Sequence, residues 1–545
     1  MKYYLNRPYP EALVKSIIGD QTAERLGRNI PQYLCHKERN APGIFLGYVY
    51  KNGQINYAVK PPDRGSHVIA IAETGGGKTS CFVIPTIRGW SGTVFAIDIK
   101  GDLLKNTQGQ LNSQYPTKVF SFSEDTKYSR YDPINLLRNG DPNDLVQNAR
   151  ELAEAIIQIS SEERDKFWKK AARNVLTAVI LYMCDYEEKD KDGNVLKGSF
   201  NKAVTMIQSE PIWSIISEIC SSENKVAAMF VNQYNGIAHP EESKMLADIS
   251  AELSNSVMTF ATDNRIKASF TESDKMFSWE DLKDHNVFME ISEDRLDQLS
   301  EAITMMLNQM VRTLERRPDK HSSDYNLPPV LIVLDEFPRL GKMEVIFNAI
   351  STLRSKGVTF CLVVQSLAQL DHTYGREGRQ IIVDNCPYKV IMNVNDPESQ
   401  KLLSDMVGTI NVQKNTISSS LGKSVGANGG FSIGTTGFSL SGGGSLSTSQ
   451  GVSISASTVR EPIIFPHEFA TLKDIVLLTP EGFCRVNKLP YYDSPKEPYN
   501  QNNLPAQAPA RPALTSKVPT RPKVDNKVQT RPELVCKVPT RPVRR

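Results

Sequence analysis

The sequence predicts an α/β protein built on a parallel sheet, and three observations carry that prediction. Short apolar runs of strand composition alternate with helical segments. A glycine-rich turn ending in Gly77-Lys78-Thr79 directly follows one of those runs. A long stretch of helical period then interrupts the alternation before strand signals return.

Taken in order, residues 1–41 form a polar, mixed N-terminal segment. Ile44-Phe-Leu-Gly-Tyr-Val-Tyr and Ile55-Asn-Tyr-Ala-Val flank the turn signal Lys51-Asn-Gly and predict a hairpin. Residues 42–140 make the first part of a nucleotide-binding domain, with strands at Val68-Ile-Ala-Ile-Ala, Thr93-Val-Phe-Ala-Ile and Lys118-Val-Phe-Ser-Phe. Residues 141–263 read as an inserted all-α domain, because Trp168, Ala171, Ala172, Val175, Leu176 and Val179 fall on one helical face. Residues 264–495 complete the nucleotide-binding domain, with strands at 286–291, 330–334, 358–364 and 388–394. Within them, residues 412–458 are rich in Ser, Gly and Thr with few large apolar side chains, which predicts a mobile loop. The Pro-rich tail, 496–545, repeats Lys-Val-Pro-Thr-Arg-Pro with period ten, with Gln529 in place of Pro in the middle copy, and is expected to be extended, basic and disordered.

Composition excludes several classes. The 545 residues carry 64 Lys and Arg against 61 Asp and Glu, a net charge of +3 typical of a soluble globular chain. Residues 501–545 hold four Lys and six Arg against Asp525 and Glu533, a net +8 that leaves −5 for the rest. The eight cysteines include no C-x-x-C pair, so neither a zinc cage nor a disulfide framework is indicated and a reducing cytoplasm is expected. No apolar run reaches the length of a spanning helix, and the N-terminus has no signal-peptide h-region.

The chemistry concentrates at the glycine-rich turn. In Ala72-Glu-Thr74-Gly75-Gly76-Gly77-Lys78-Thr79-Ser80, glycines let several backbone N–H groups face an anion. Lys78 can reach the β- and γ-phosphates of ATP, and Thr79 can ligate Mg²⁺. Ala72 stands at the first motif position, where Gly is commoner, and is tolerable with negative φ. A second Gly422-Lys-Ser424 has Ile417 at that position and no preceding strand, so it reads as a decoy. An acidic partner strand, Val330-Leu-Ile-Val-Leu, ends in Asp335-Glu336: Asp335 suits Mg²⁺ through water, and Glu336 suits a group that orients or deprotonates the attacking water. The strand 358–364 runs into Gln365, a γ-phosphate sensor or a surface residue. Arg354 at a helix C-terminus is an inter-subunit arginine finger or a partner of the helix dipole.

At this point the chain resembles the conjugative coupling proteins of type IV secretion systems, the TraG/TraD-like P-loop ATPases. The resemblance covers roughly residues 42–495. It rests on Gly47, on His67 through Thr79 with Ile84-Pro85, on Ile97-Asp-Ile-Lys-Gly-Asp102 and on Tyr131-Asp-Pro-Ile-Asn135. It continues through Phe167-Trp168 with Ala171-Ala-Arg-Asn174, Leu334-Asp-Glu-Phe-Pro338, Gln365-Ser-Leu-Ala-Gln-Leu370 with Tyr374-Gly375, Asn395-Asp-Pro397, and Arg460-Glu-Pro with Pro466-His-Glu468. The resemblance implies a RecA-like domain with an inserted all-α domain, a homo-hexamer, and ATP-driven movement of single-stranded DNA carrying its relaxase through the secretion channel proteins. It matches Lys78 and Thr79 to the P-loop, Asp335 and Glu336 to the second acidic motif, Arg354 to the inter-subunit arginine and Gln365 to the sensor.

Family members usually begin with two membrane helices that this sequence lacks. Either a separate membrane-anchor subunit holds the protein at the inner face of the membrane, or the reading frame lacks its original N-terminus. The alternatives are an FtsK/HerA-like DNA translocase and an ATP-switched receptor without motor activity. For DNA, Phe167, Trp168, Lys169, Lys170 and Arg173 lie close together in the helical block. The phase of Trp168 places it in the core, and the three cations read as solvated. The basic tail either tethers DNA or an acidic partner or merely solubilises the chain.

Overall fold

The computed structural model describes residues 25, 27 and 29–495, apart from 52–53, 65, 112–113, 160–165, 192, 431–432, 435–436 and 439–440, and describes side chains outside 413–457. The Pro-rich tail and most of the N-terminal segment lie outside the described residues.

The expected hairpin forms from β1 (Ile44–Lys51) and β2 (Gln54–Lys60), paired antiparallel with a bulge between Phe45 and Gly47. Gly47 is required there: its φ is +129° and a Cβ would sit 2.5 Å from the Asn487 carbonyl oxygen. The close approach is the antiparallel bridge between Tyr48 and Asn487.

The main sheet contains β3 (Val68–Ile71), β4 (Thr93–Asp98), β5 (Thr117–Ser121), β6 (Asn286–Glu290), β7 (Val330–Leu334), β8 (Val358–Val364), β9 (Tyr388–Ile391), β10 (Ile475–Thr479) and β11 (Gly482–Val486). Their spatial order is β11-β10-β9-β3-β8-β7-β4-β6-β5. The seven strands from β9 to β5 are parallel, and the β10–β11 hairpin adds antiparallel to β9. Seven strands coincide with the runs read from sequence. β10 and β11 were missed, although Ile475-Val-Leu-Leu before Pro480-Glu-Gly482 carries a strand-and-turn signal.

Every residue of β7 and β8 is buried, as expected for parallel strands covered on both faces. Alternation divides them between two cores. Ile71, Ile97, Ile332, Leu334, Leu362 and Val364 face one, while Ala70, Ala96, Val333 and Val363 face the other beside Phe82, Ile84 and Ile87 of the segment after the glycine-rich turn.

Between the adjacent strands β5 and β6, helices run from Pro133–Arg138 to Asn264–Ser269, the longest being Phe167–Asp185 and Lys244–Thr262. Asp132 starts the series by capping Ile134 N–H at 2.8 Å ahead of Pro133. The helices share one continuous apolar core with a face of the sheet, through Val175, Leu176, Val179, Phe260 and Phe270.

The Ser/Gly-rich segment corrects the expectation of a loop. Thr409–Gly430 pairs antiparallel with Ser441–Pro462 in unbroken register from Thr409↔Pro462 to Gly430↔Ser441. Composition reports on the capacity to form an apolar core, whereas this ladder is defined by backbone pairing between its two strands. Gly422-Lys-Ser424 lies inside this ladder, with neither a preceding parallel strand nor a following helix.

Candidate nucleotide site

The site is built at the carboxyl ends of four neighbouring strands, β3, β8, β7 and β4, the edge where open α/β sheets bind ligands. After β3 the chain is held by Ala72 N–H donating to the Val364 carbonyl and Glu73 N–H donating to that of Asn393. The turn then closes through Gly76 N–H to Glu73 O at 2.9 Å. Gly75 and Gly77 take φ of +80° and +93°, which L side chains rarely adopt. Ala72 keeps a negative φ, since His239 and Glu336 are the two described non-glycine residues with positive values. Thr74 and Gly75 are exposed at the tip, and Lys78 opens a π-helical turn, Lys78–Val83, that continues into the helix Ile84–Gly89.

Lys78 is buried, with Nζ 3.4 Å from Glu336 Oε1. Thr79 Oγ1 donates to Asp335 Oδ2 at 3.2 Å. The structure therefore unites Lys78, Thr79, Asp335 and Glu336 from two strands that are not adjacent. Glu336 adopts φ +57°, a left-handed conformation that costs about 1 kcal/mol or more outside glycine and turns the chain sharply after β7. The turn is braced by Phe337, whose ring stacks 5.5 Å from Tyr374, the residue before the kink at Gly375 in the helix Leu367–Asp384.

Burial pushes the Asp335 carboxyl above its ordinary value, against the pull of Lys78. Burial acts on Glu336 in the same sense. Its hydrogen bond from Lys100 and the charges of Lys78 and Lys100 outweigh it and hold the carboxyl below the usual range. Lys78 Nζ and Asp335 Oδ1 are both buried without a hydrogen-bond partner among the described residues. Such orphaned groups are costly unless something meets them. An anionic phosphate beside Lys78 and a divalent cation beside Thr79 and Asp335 fit this donor set.

Gln365 stands at the tip of β8, between the two halves of the site, but its side chain pairs with Gln369, whose Nε2 lies 3.5 Å from Gln365 Oε1. Arg354 is not brought to the site at all. It is exposed on the turn Leu353–Lys356 before β8, and seven strand residues at about 3.3 Å each put it roughly 20 Å from Gln365. Ser80 gives its carbonyl to Tyr491 N–H at 2.9 Å.

Sequence reasoning missed two cations here. Lys100, after β4, donates to Glu336 Oε1 at 2.9 Å. Lys488, after β11, donates to Gly76 O at 3.2 Å and to Asn393 Oδ1 at 2.5 Å, tying the glycine turn to β9. Lys100 sits in the run Ile97-Asp-Ile-Lys-Gly-Asp102, whereas nothing local marks Lys488.

A cleft of about 1070 Å³ lies elsewhere, between the helices Leu145–Ile156 and Leu296–Glu315. Its lining mixes cations with acids, and ion pairs Arg312–Glu151 (3.5 Å) and Arg316–Asp144 (3.7 Å) join its walls. Phe167 is exposed, and Trp168 packs partly buried against the core as its phase predicts. Lys169 and Arg173 are not merely solvated: they donate to the Gln158 and Ile157 carbonyls at the end of the preceding helix.

Residues 20–520 match the family described as Type IV secretory system Conjugative DNA transfer. The chain belongs to that family. Among its relatives, the protein VirD4 of Rhizobium rhizogenes is 26% identical over 357 residues, covering 65% of this chain and 50% of VirD4. The conjugal transfer protein TraG of Escherichia coli is 25% identical over 412 residues, covering 72% and 63%. The chain thus spans about half the length of the VirD4 relatives it matches. The bacterial conjugative coupling protein TrwBdeltaN70 in its unbound form superposes with a TM-score of 0.53 at 14% identity, covering 86% of this chain and 90% of that one. TrwB in complex with ADP and Mg²⁺ gives 0.51 at 15% identity, covering 81% and 89%. At these identities the likeness shows the fold, that of a RecA-like P-loop NTPase. Among the described residues, no helix is long and apolar enough to cross a membrane.

Proposed function

We propose that this protein is the coupling ATPase of a conjugative type IV secretion system. It binds Mg·ATP and hydrolyses it to drive single-stranded DNA with its attached relaxase towards the channel proteins. The observation that carries the reading is that Lys78 Nζ at the end of the glycine turn and Asp335 Oδ1 at the end of β7 are both buried without a hydrogen-bond partner among the described residues, in a chain of this family. The TrwB complex with ADP and Mg²⁺ supports it by fold.

In this reading the backbone N–H groups between Thr74 and Ser80 other than that of Gly76, together with the Lys78 ammonium, hold the phosphates, and Thr79 and Asp335 hold Mg²⁺. The bound ion draws charge from the phosphate oxygens. Glu336 takes a proton from the attacking water as the water oxygen bonds to the γ-phosphorus and the bridging oxygen leaves with ADP. Gln365 turns from Gln369 to sense the γ-phosphate. Arg354 acts on the site of a neighbouring subunit in a homo-hexamer, since its own site is roughly 20 Å away along β8. The helical segment 141–263 receives the relaxase-bound cargo, and the basic tail adds non-specific hold on DNA.

The experiment is transfer frequency and DNA-stimulated ATPase in Lys78→Ala and Glu336→Gln. Both activities should vanish in both variants. Wild-type transfer in either one refutes the motor.

A further inference from the structure

Resting on the hydrolase reading, we infer that Lys100 is a positioning residue that latches Glu336 away from the attacking water until the latch is withdrawn. Lys78 and Lys100 both address the same atom, Glu336 Oε1, at 3.4 and 2.9 Å. A carboxylate oxygen turned towards two ammonium groups has its lone pairs directed at cations, not at water. A phosphate arriving at the glycine turn recruits Lys78, whose buried ammonium has Glu336 at 3.4 Å but no hydrogen-bond partner among the described residues. Lys100 then remains as the restraint.

The two partners differ in freedom. The Glu336 side chain is 7% exposed and cannot leave, whereas that of Lys100 is 48% exposed and can swing into solvent or towards an arriving anion. Lys100 is also carried on a pliable link, the turn between β4 and the helix Asp102–Thr107 in which Gly101 takes φ +70°. The acids around it, Asp98, Asp102 and Asp335 in the same narrow cleft and Glu293 beyond, offer other positions for the ammonium once it moves. Glu293 is itself paired with Arg339 at 3.1 Å.

The test uses the purified full-length chain with Lys100→Met, Lys100→Gln and Lys100→Arg. The measurements are DNA-free ATP turnover, affinity for a fluorescent non-hydrolysable ATP analogue with Mg²⁺, and nucleotide-free thermal unfolding in a Lys100→Met/Glu336→Gln double-mutant cycle. The two neutral variants should turn over about threefold faster at unchanged analogue affinity. At 1.36 kcal/mol per tenfold this is ~0.65 kcal/mol, the size of a part-exposed ion pair. Lys100→Arg should restore the restraint, and the unfolding shifts of the single variants should fail to add. Equal or slower turnover in both neutral variants, or additive shifts, overturns the latch. Absent turnover in the wild-type protein refutes the hydrolase reading instead, and the nucleotide-free cycle then decides the pairing on its own.

Discussion

Replacing Lys78 with Met should leave the nucleotide-free protein almost as stable as before while removing most of its response to nucleotide. In the free protein Lys78 Nζ is buried, accepts no compensation by hydrogen bonding, and has Glu336 at 3.4 Å. The methionine removes an ion pair and a desolvation penalty together, so the net change is within about 1 kcal/mol. In the wild type, a Mg·ATP analogue at 100 times its Kd stabilises by ~2.7 kcal/mol. Losing one hydrogen bond from a charged group is worth about 1.5–3 kcal/mol, or roughly a 10- to 100-fold loss of affinity. At the same ligand concentration a 100-fold loss leaves the ligand at its Kd and the stabilisation at ~0.4 kcal/mol. Denaturant unfolding with and without the analogue reads both quantities. A full ~2.7 kcal/mol gain in Lys78→Met would refute the assignment of the glycine turn as the phosphate cradle.

Three further outcomes are expected. Lys488→Met strands the acceptors on Gly76, Asn393 and Leu472, so it should destabilise by about 2 kcal/mol and weaken analogue binding; unchanged affinity in a calorimetric titration would separate Lys488 from the site. Arg354→Ala, at an exposed position, should cost less than ~0.5 kcal/mol of stability yet abolish turnover. Mixing it with Glu336→Gln should restore part of the activity at interfaces that combine the intact groups, and no recovery on mixing argues against action across subunits. His67 is buried in its neutral form, its Nδ1 accepting from Phe360 N–H and its Nε2 donating to Ile350 O, and burial lowers its pKa to about 4. Between pH 4 and the ordinary value of 6.5 the unfolded chain binds more protons, so stability should rise with pH across that window by about 3 kcal/mol. Denaturation midpoints at pH 4.5 and 7 should show this slope flattened in His67→Gln, and an equal slope contradicts the assignment.

Most of the sheet was legible because its strands are buried on both faces and so appear as uninterrupted apolar runs; β8 matches its sequence bounds, Val358–Val364. The four residues Lys78, Thr79, Asp335 and Glu336 were legible because each lies where a strand's carboxyl end must place it. Lys100 and Lys488 were not, since their partners are distant in sequence and a lysine near a turn has no periodicity to betray it. The Ser/Gly hairpin was misread for a different reason: composition reports on core formation, and a two-stranded ladder is held by backbone pairing instead. The position of Arg354 at the opposite end of β8 follows from strand direction, which spacing along the chain does not by itself convey.

If the groups gathered at the ends of β3 and β7 cleave a triphosphate, its hydrolysis must depend on Glu336 while its binding does not. Rapid-quench single-turnover measurement on wild-type protein and Glu336→Gln, with binding followed in the same samples, tests it most directly. Both proteins should bind Mg·ATP with matching affinity and only the wild type should convert it to ADP and phosphate. Conversion at the wild-type rate by Glu336→Gln, or no binding by the wild type, would contradict the account.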